Sequence, residues 1–215
     1  MIAVLLSEMA GWLKNQSRTT LTPMLIVFGI AGSFSFLRPE ICLEILIALI
    51  IWLATKAGKQ SWSEFRAQDW VKRTHLPLRT VVFGKTLAAF GVCLLHLAVV
   101  FPVLMIMVTL WGFTWGQLMN MLLLTIITAL IGIGLGLCGS SMGEKEEDFR
   151  TGVPVALWLI ITAIIPMLRP INPFCTAWNV MVSNTGLPLW ILTIDLGIAA
   201  SSVWTAERLF RREAY

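Results

Sequence analysis

Charge is what this sequence has least of. Asp, Glu, Lys and Arg make up 13% of its 215 residues, about half of the ~25% carried by an ordinary soluble domain. A chain so poor in charge cannot clothe a water-exposed surface, and its 57% of hydrophobic residues points the same way. Catalytic signatures are missing too. There is no HExxH and no acid pair at a useful spacing, and Ser140-Ser141 has no basic partner nearby in the sequence, so hydrolase and transferase chemistry has no visible machinery. Four cysteines, Cys42, Cys93, Cys138 and Cys175, show neither CxxC nor a His/Cys metal spacing. Gly84-Lys85-Thr86 imitates the end of a phosphate-binding loop, but Arg79 stands where the first glycine belongs. The triplet opens an apolar run instead of following a strand, and Lys85 reads as a snorkelling anchor. No cleavable signal is expected at the start, since Glu8 interrupts the apolar residues and no basic stretch precedes them.

What is present is a series of apolar runs near the ~20 residues that cross a ~30 Å hydrocarbon core as helix. The runs predict an all-α integral membrane protein with six transmembrane helices, at about 21–37, 41–55, 86–110, 118–138, 152–167 and 187–206, forming one domain over 1–215. Ile2, Leu5, Leu6, Met9, Trp12 and Leu13 make one stripe, so 1–15 is expected as an amphipathic helix on the membrane surface. Arg38-Pro-Glu40 and Gly112-Phe-Thr-Trp-Gly116 are expected as outer turns, and Pro102 as a kink. Leu168 to Phe174 carries two prolines before the short apolar piece Trp178 to Val182. A re-entrant or interfacial pair of helices over 168–185 suits it, because such a piece cannot cross alone. Gly132, Gly134 and Gly136 close span four, and small residues at that spacing let helices approach closely in lipid.

The scarce cations are concentrated. Lys56, Lys59, Arg66, Lys72, Arg73, Arg79 and Lys85 fall between spans two and three. Under six spans, fourteen Lys and Arg lie on one side and two, Arg38 and Arg169, on the other. That bias puts both termini and the 56–85 loop in the cytoplasm. Cations beside apolar runs set topology and meet lipid headgroups, so the net charge of +4 does not argue for nucleic acid. Residues 61–73 alternate Trp62, Phe65, Asp69, Trp70 and Arg73 with Glu64, Arg66 and Lys72, a helical handle that ends where Leu76-Pro77 breaks it. Two polar residues fall deep in the membrane, His96 in span three and Asp195 in span six. Such groups are candidate functional sites, and counting from Lys85 and Arg208 gives them similar depth, so they are expected to pair. Cys42 and Cys175 both fall near the outer face, where a disulfide and two separate thiols are both open.

In order, these features resemble the permease subunit of an ABC transporter of the ABC-2 (type V exporter) class, over nearly the whole chain. The resemblance rests on the amphipathic start, the charged inner loop with Leu76-Pro77-Leu78 and Gly84-Lys85, Leu135-Gly-Leu-Cys-Gly-Ser-Ser141, and Asn172-Pro-Phe174. The family's acidic-Gly-Thr signature does not appear around Ser61-Trp-Ser-Glu64, so the subfamily and cargo stay open. The resemblance implies a homo- or heterodimer of permeases in a bacterial inner membrane, bound to a dimer of separate ATPase subunits that hold ATP and Mg. This chain is then no enzyme and binds no cofactor of its own. It also implies that Trp62, Glu64, Phe65, Arg66, Asp69, Trp70 and Arg73 form the coupling helix that meets the ATPase. Two other readings stand beside it, a non-transporting scaffold of an envelope or pilus assembly and a secondary transporter.

Overall fold

The computed structural model describes residues 39–67, 78–141, 147–182 and 186–214. Among them every regular element is helical. They are α1 (Pro39–Ala67), α2 (Leu78–Trp111), α3 (Trp115–Ser141), α4 (Glu147–Ile164), a 3-10 turn (Pro166–Ile171), α5 (Pro173–Val182) and α6 (Leu189–Ala214). Two stretches, Trp115–Ser140 and Leu189–Phe210, are long and apolar enough to cross a membrane, and Gly152–Ile164 is a shorter apolar helix. The expected surface helix 1–15, the first span at 21–37 and residues 68–77 of the inner loop lie outside the described residues.

Several boundaries differ from the sequence reading, each for a local reason. Pro39 and Glu40 are not a turn but the start of α1, where proline's missing N–H costs nothing. Helix α1 runs unbroken to Ala67, beyond residue 55, where the second span is expected to end. Thr55 marks where the side chains turn polar, yet Ala54 and Ala57 stay buried while Lys56, Lys59 and Gln60 turn partly outward. The helix face therefore persists through the change in composition. At the other end of the loop, α2 begins at Leu78, immediately after Pro77. It is continuous as a helix past position 102 to Trp111. Residues 139–141 extend α3, 147–150 begin α4, and the basic tail after residue 206 continues α6 to Ala214.

The expected turn after α2 is present. Gly112 takes φ +67°, a conformation that glycine adopts without steric cost. Thr114 then caps α3 reciprocally with Gln117. The Gln117 amide N–H donates to Thr114 Oγ1 at 3.3 Å, and the Thr114 amide donates to Gln117 Oε1 at 2.8 Å, the Thr-x-x-Gln form of a capping box. Gln117 Nε2 also reaches the Met181 carbonyl at 3.1 Å, tying the end of α5 to the start of α3.

The segment between α4 and α6 is built from short helices, as its prolines predict. Asn172 is the knot that holds it. Its Nδ2 donates to the Leu159 carbonyl at 3.2 Å and to Thr162 Oγ1 at 3.1 Å. Its Oδ1 accepts from the amides of Phe174 (3.0 Å) and Cys175 (3.4 Å), capping α5 with Pro173 in the first helical position. Thr176 Oγ1 closes the knot on the carbonyls of Pro170 and Asn172. A buried bend whose polar groups are all matched this way avoids the cost of orphaned backbone in an apolar setting.

At the centre lies α3, which packs against α1, α2, α4, α5 and α6. Of its apolar window 72% is buried, against 28% for that of α6. The glycines explain how so many neighbours fit. A Cβ on Gly132 would meet Ala54 Cβ at 2.8 Å, and one on Gly136 would run into the Thr55 backbone. In return, a Cβ on Gly58 of α1 would strike the Ile133 carbonyl. Ala54-x-x-x-Gly58 thus interlocks with Gly132-x-x-x-Gly136, the close approach expected from the spacing. Gly134 faces the other way, toward Ala199 and Ser202 of α6.

Candidate functional site

On α6 the buried positions Ile191, Asp195, Ala199, Ser202 and Ala206 recur at helical spacing and form the face turned to α3. Ala199 and Ser202 meet Gly134, and Cys138 Sγ donates to the Ser202 carbonyl at 2.9 Å. Asp195 sits one turn toward the N-terminal end of α6 on this face, and only 2% of its surface is exposed. Its Oδ1 has no hydrogen-bond partner among the described residues. Trp158 Nε1 on α4 is likewise buried without an acceptor among them. These two stand out because the hydroxyls around them are satisfied. Thr55, Thr125, Thr162 and Ser202 each donate to the carbonyl four residues earlier in their own helix. A buried polar group with no partner carries a penalty of about 1–3 kcal/mol. Asp195 is therefore the residue that packing alone does not account for.

The polar end of the bundle is assembled from three helices. Arg79 Nε on α2 lies 3.6 Å from Glu207 Oε2 on α6. Lys85 is buried at 6% exposure, one and a half turns further along α2. Lys56 Nζ lies 5.1 Å from the centre of the Trp52 ring, and Arg208 Cζ lies 3.7 Å from that of Trp204. Both are cation-over-indole pairs at i, i+4. Neither the Arg79–Glu207 pair nor the indole stacking was foreseen from the sequence. A tryptophan four residues before a cation, at Trp52–Lys56 and Trp204–Arg208, was the available signal.

The expected site residues do not converge on one place. Trp62, Glu64, Phe65 and Arg66 ride on the last turns of α1, with side chains outside the described residues, where Asp69, Trp70 and Arg73 also lie. His96 belongs to the backbone of α2, and its side chain too lies outside. The depth argument for pairing it with Asp195 changes once Arg79 and Glu207 supply a common origin. Asp195 is 12 residues from Glu207, about 18 Å along the helix, and His96 is 17 residues from Arg79, about 26 Å. The two backbones are thus offset by roughly 8 Å, more than counting from Lys85 and Arg208 implies.

Cys93, Cys138 and Cys175 are free thiols, and the side chain of Cys42 lies outside the described residues. Among the described residues no group of three His, Cys, Asp or Glu could hold a metal ion. No protein-family model, curated protein or solved structure matches the chain. The reading of this site rests on its own geometry.

Proposed function

We propose that this chain is the six-span permease subunit of an ATP-driven exporter of the ABC-2 type. It acts as a dimer in a bacterial inner membrane, with both termini in the cytoplasm, and is driven by separate ATPase subunits. The observation that carries this reading is the unbroken run of α1 from Pro39 to Ala67. A single helix joins the segment interlocked with α3 to the stretch Trp62-Ser-Glu-Phe-Arg66. Force applied at residues 62–66 is delivered through a rigid lever to the central helix. A scaffold has no need of that lever. The order of the sequence motifs supports the same reading. So do the cations stacked on Trp52 and Trp204, which suit an inner membrane interface.

The test is co-purification with any ATPase found encoded beside it, followed by hydrolysis and transport assays on Phe65→Ala and Trp70→Ala. Aromatic anchors dominate interface energies at about 2 kcal/mol or more. Both variants are therefore expected to fold, yet lose ATPase docking about thirtyfold or to uncouple hydrolysis from transport. Unchanged docking and transport in both would remove the coupling assignment, and failure of any ATPase to bind would favour the scaffold.

A further inference from the structure

We infer that the basic end of α2 and α6 binds the phosphodiester headgroup of an acidic phospholipid, gripped by Arg79 and Arg208. The two guanidiniums meet at one place, because Arg79 reaches Glu207, the residue next to Arg208 on α6. Each is held differently, and each keeps donors to spare. Glu207 engages Arg79 at Nε, 3.6 Å away, while the Arg79 side chain stays 77% exposed. An ion pair so open to its surroundings adds little to stability, so its consequence is placement. A guanidinium carries five N–H donors, more than one carboxylate accepts. Arg208 is held by its flat face, with Cζ 3.7 Å from the centre of the Trp204 ring. Stacking leaves the donors on the guanidinium edge to an acceptor, and that edge matches the oxygens of a phosphate. Set against Glu207, the two arginines leave the cluster with one positive charge in excess.

The surroundings select the ligand. An aqueous polyanion does not explain why Phe83, one turn along α2 from Arg79, is 60% exposed, nor why Trp204 is 47% exposed. The apolar exposure continues away from the cations on both helices. Leu87 and Leu94 follow Phe83 on the same side of α2, and Ile194 and Trp190 lie behind Trp204 on the same side of α6, all of them exposed. Arg79 stands in the first turn of α2 and Arg208 in the last two turns of α6, so both stripes lead away from the same end of the bundle. Cations heading two apolar stripes fit a molecule that is anionic at its head and apolar behind. A zwitterionic phospholipid brings a cation of its own to the cluster and is disfavoured. Free phosphate uses the same donors but gains nothing from Phe83 or the leucines.

The inference rests on these helices lying in a membrane and on no part of the ATPase-driven reading. The full chain in dodecyl maltoside is titrated with phosphatidylglycerol and, in parallel, phosphatidylcholine, each with a dansyl group on one acyl chain, and energy transfer from tryptophan is read. Saturable binding of phosphatidylglycerol is expected, at least about fivefold tighter than phosphatidylcholine, the factor that one cation contributes beside an acidic headgroup. Arg79→Gln and Arg208→Gln should each lose about that factor, and Arg208→Lys should recover part of it, with helicity and elution unchanged. Lys56→Gln, which removes the cation stacked on Trp52 of α1, should leave binding as it was. Equal affinity of the wild type for the two lipids would overturn the inference without any variant. A loss in Lys56→Gln as large as in Arg208→Gln would reduce it to diffuse attraction and overturn it too. Displacement of the lipid by inorganic phosphate at constant ionic strength would assign the cluster to the free ion instead.

Discussion

The two faces of α3 are built from the same kind of residue and behave differently. Toward α1, Gly132 and Gly136 bring α3 against Ala54 and the Thr55 backbone, and Gly58 reciprocates against the Ile133 carbonyl. No ionisable side chain is among the atoms these three glycines meet. Toward α6, one glycine, Gly134, meets the Ser202 side chain, one thiol donates to a carbonyl, and a buried carboxylate faces inward. Backbone interlocked with backbone has no flexible atoms to move. The α6 seam instead brings Gly134 against the small residues Ala199 and Ser202 and holds a carboxylate oxygen without a partner among the described residues. Glycine on both partners sets backbone against backbone, whereas glycine on one leaves a side chain in the seam. We expect α1 and α3 to move as one unit and α6 to be the helix that shifts against them.

That division can be broken from the α1 side first. Gly136→Leu places a side chain into the Thr55 backbone and is expected to cost more than about 3 kcal/mol, the upper range of overpacking. Loss of the folded elution peak, or a large fall in unfolding midpoint in detergent, checks it. A change within experimental error would mean that the interlock is not tight. The next effect has the opposite sign. Asp195→Leu replaces a group with an unmatched oxygen by one that fits hydrocarbon, and it should stabilise the fold by about 1–3 kcal/mol. Destabilisation by that amount would show that Asp195 has a strong partner within the chain. The same variants combined with His96→Leu measure whether that partner is His96, through the coupling in the double mutant. The smallest effect sharpens the contrast between the seam and the open side of α6. Gly197 meets nothing, so Gly197→Ala should stabilise by about 0.5–1 kcal/mol through helix propensity, whereas Gly134→Ala meets Ser202 Cβ at 2.8 Å and should not.

Much of this was legible in the sequence wherever a residue acts through its own backbone. Gly112 and Asn172-Pro173 mark element boundaries by permitting positive φ or capping a helix, and both lie at boundaries in the structure, while α2 begins at Leu78, the residue that follows Pro77 in the sequence. Close packing at Gly132, Gly134 and Gly136 was readable from spacing, but not that alternate glycines serve opposite partners. The reach of α1 was not legible, because the change at Thr55 and Lys56 records which solvent the side chains meet and leaves the backbone free to continue as helix. Asp195 could be singled out by its setting among apolar residues. Its depth relative to His96 could not, since that register is fixed by Arg79 and Glu207, which are 128 positions apart in the chain.

The most direct test of the division is a pair of distance distributions from spin labels on the full chain in nanodiscs, with the native cysteines replaced. One pair joins α1 and α3 through the exposed positions Ala48 and Leu123, and the other joins α3 and α6 through Leu123 and Thr193. The account predicts a single narrow distribution for the first pair and a broader or two-peaked one for the second. A second distribution as narrow as the first, or a broad one between α1 and α3, would contradict it.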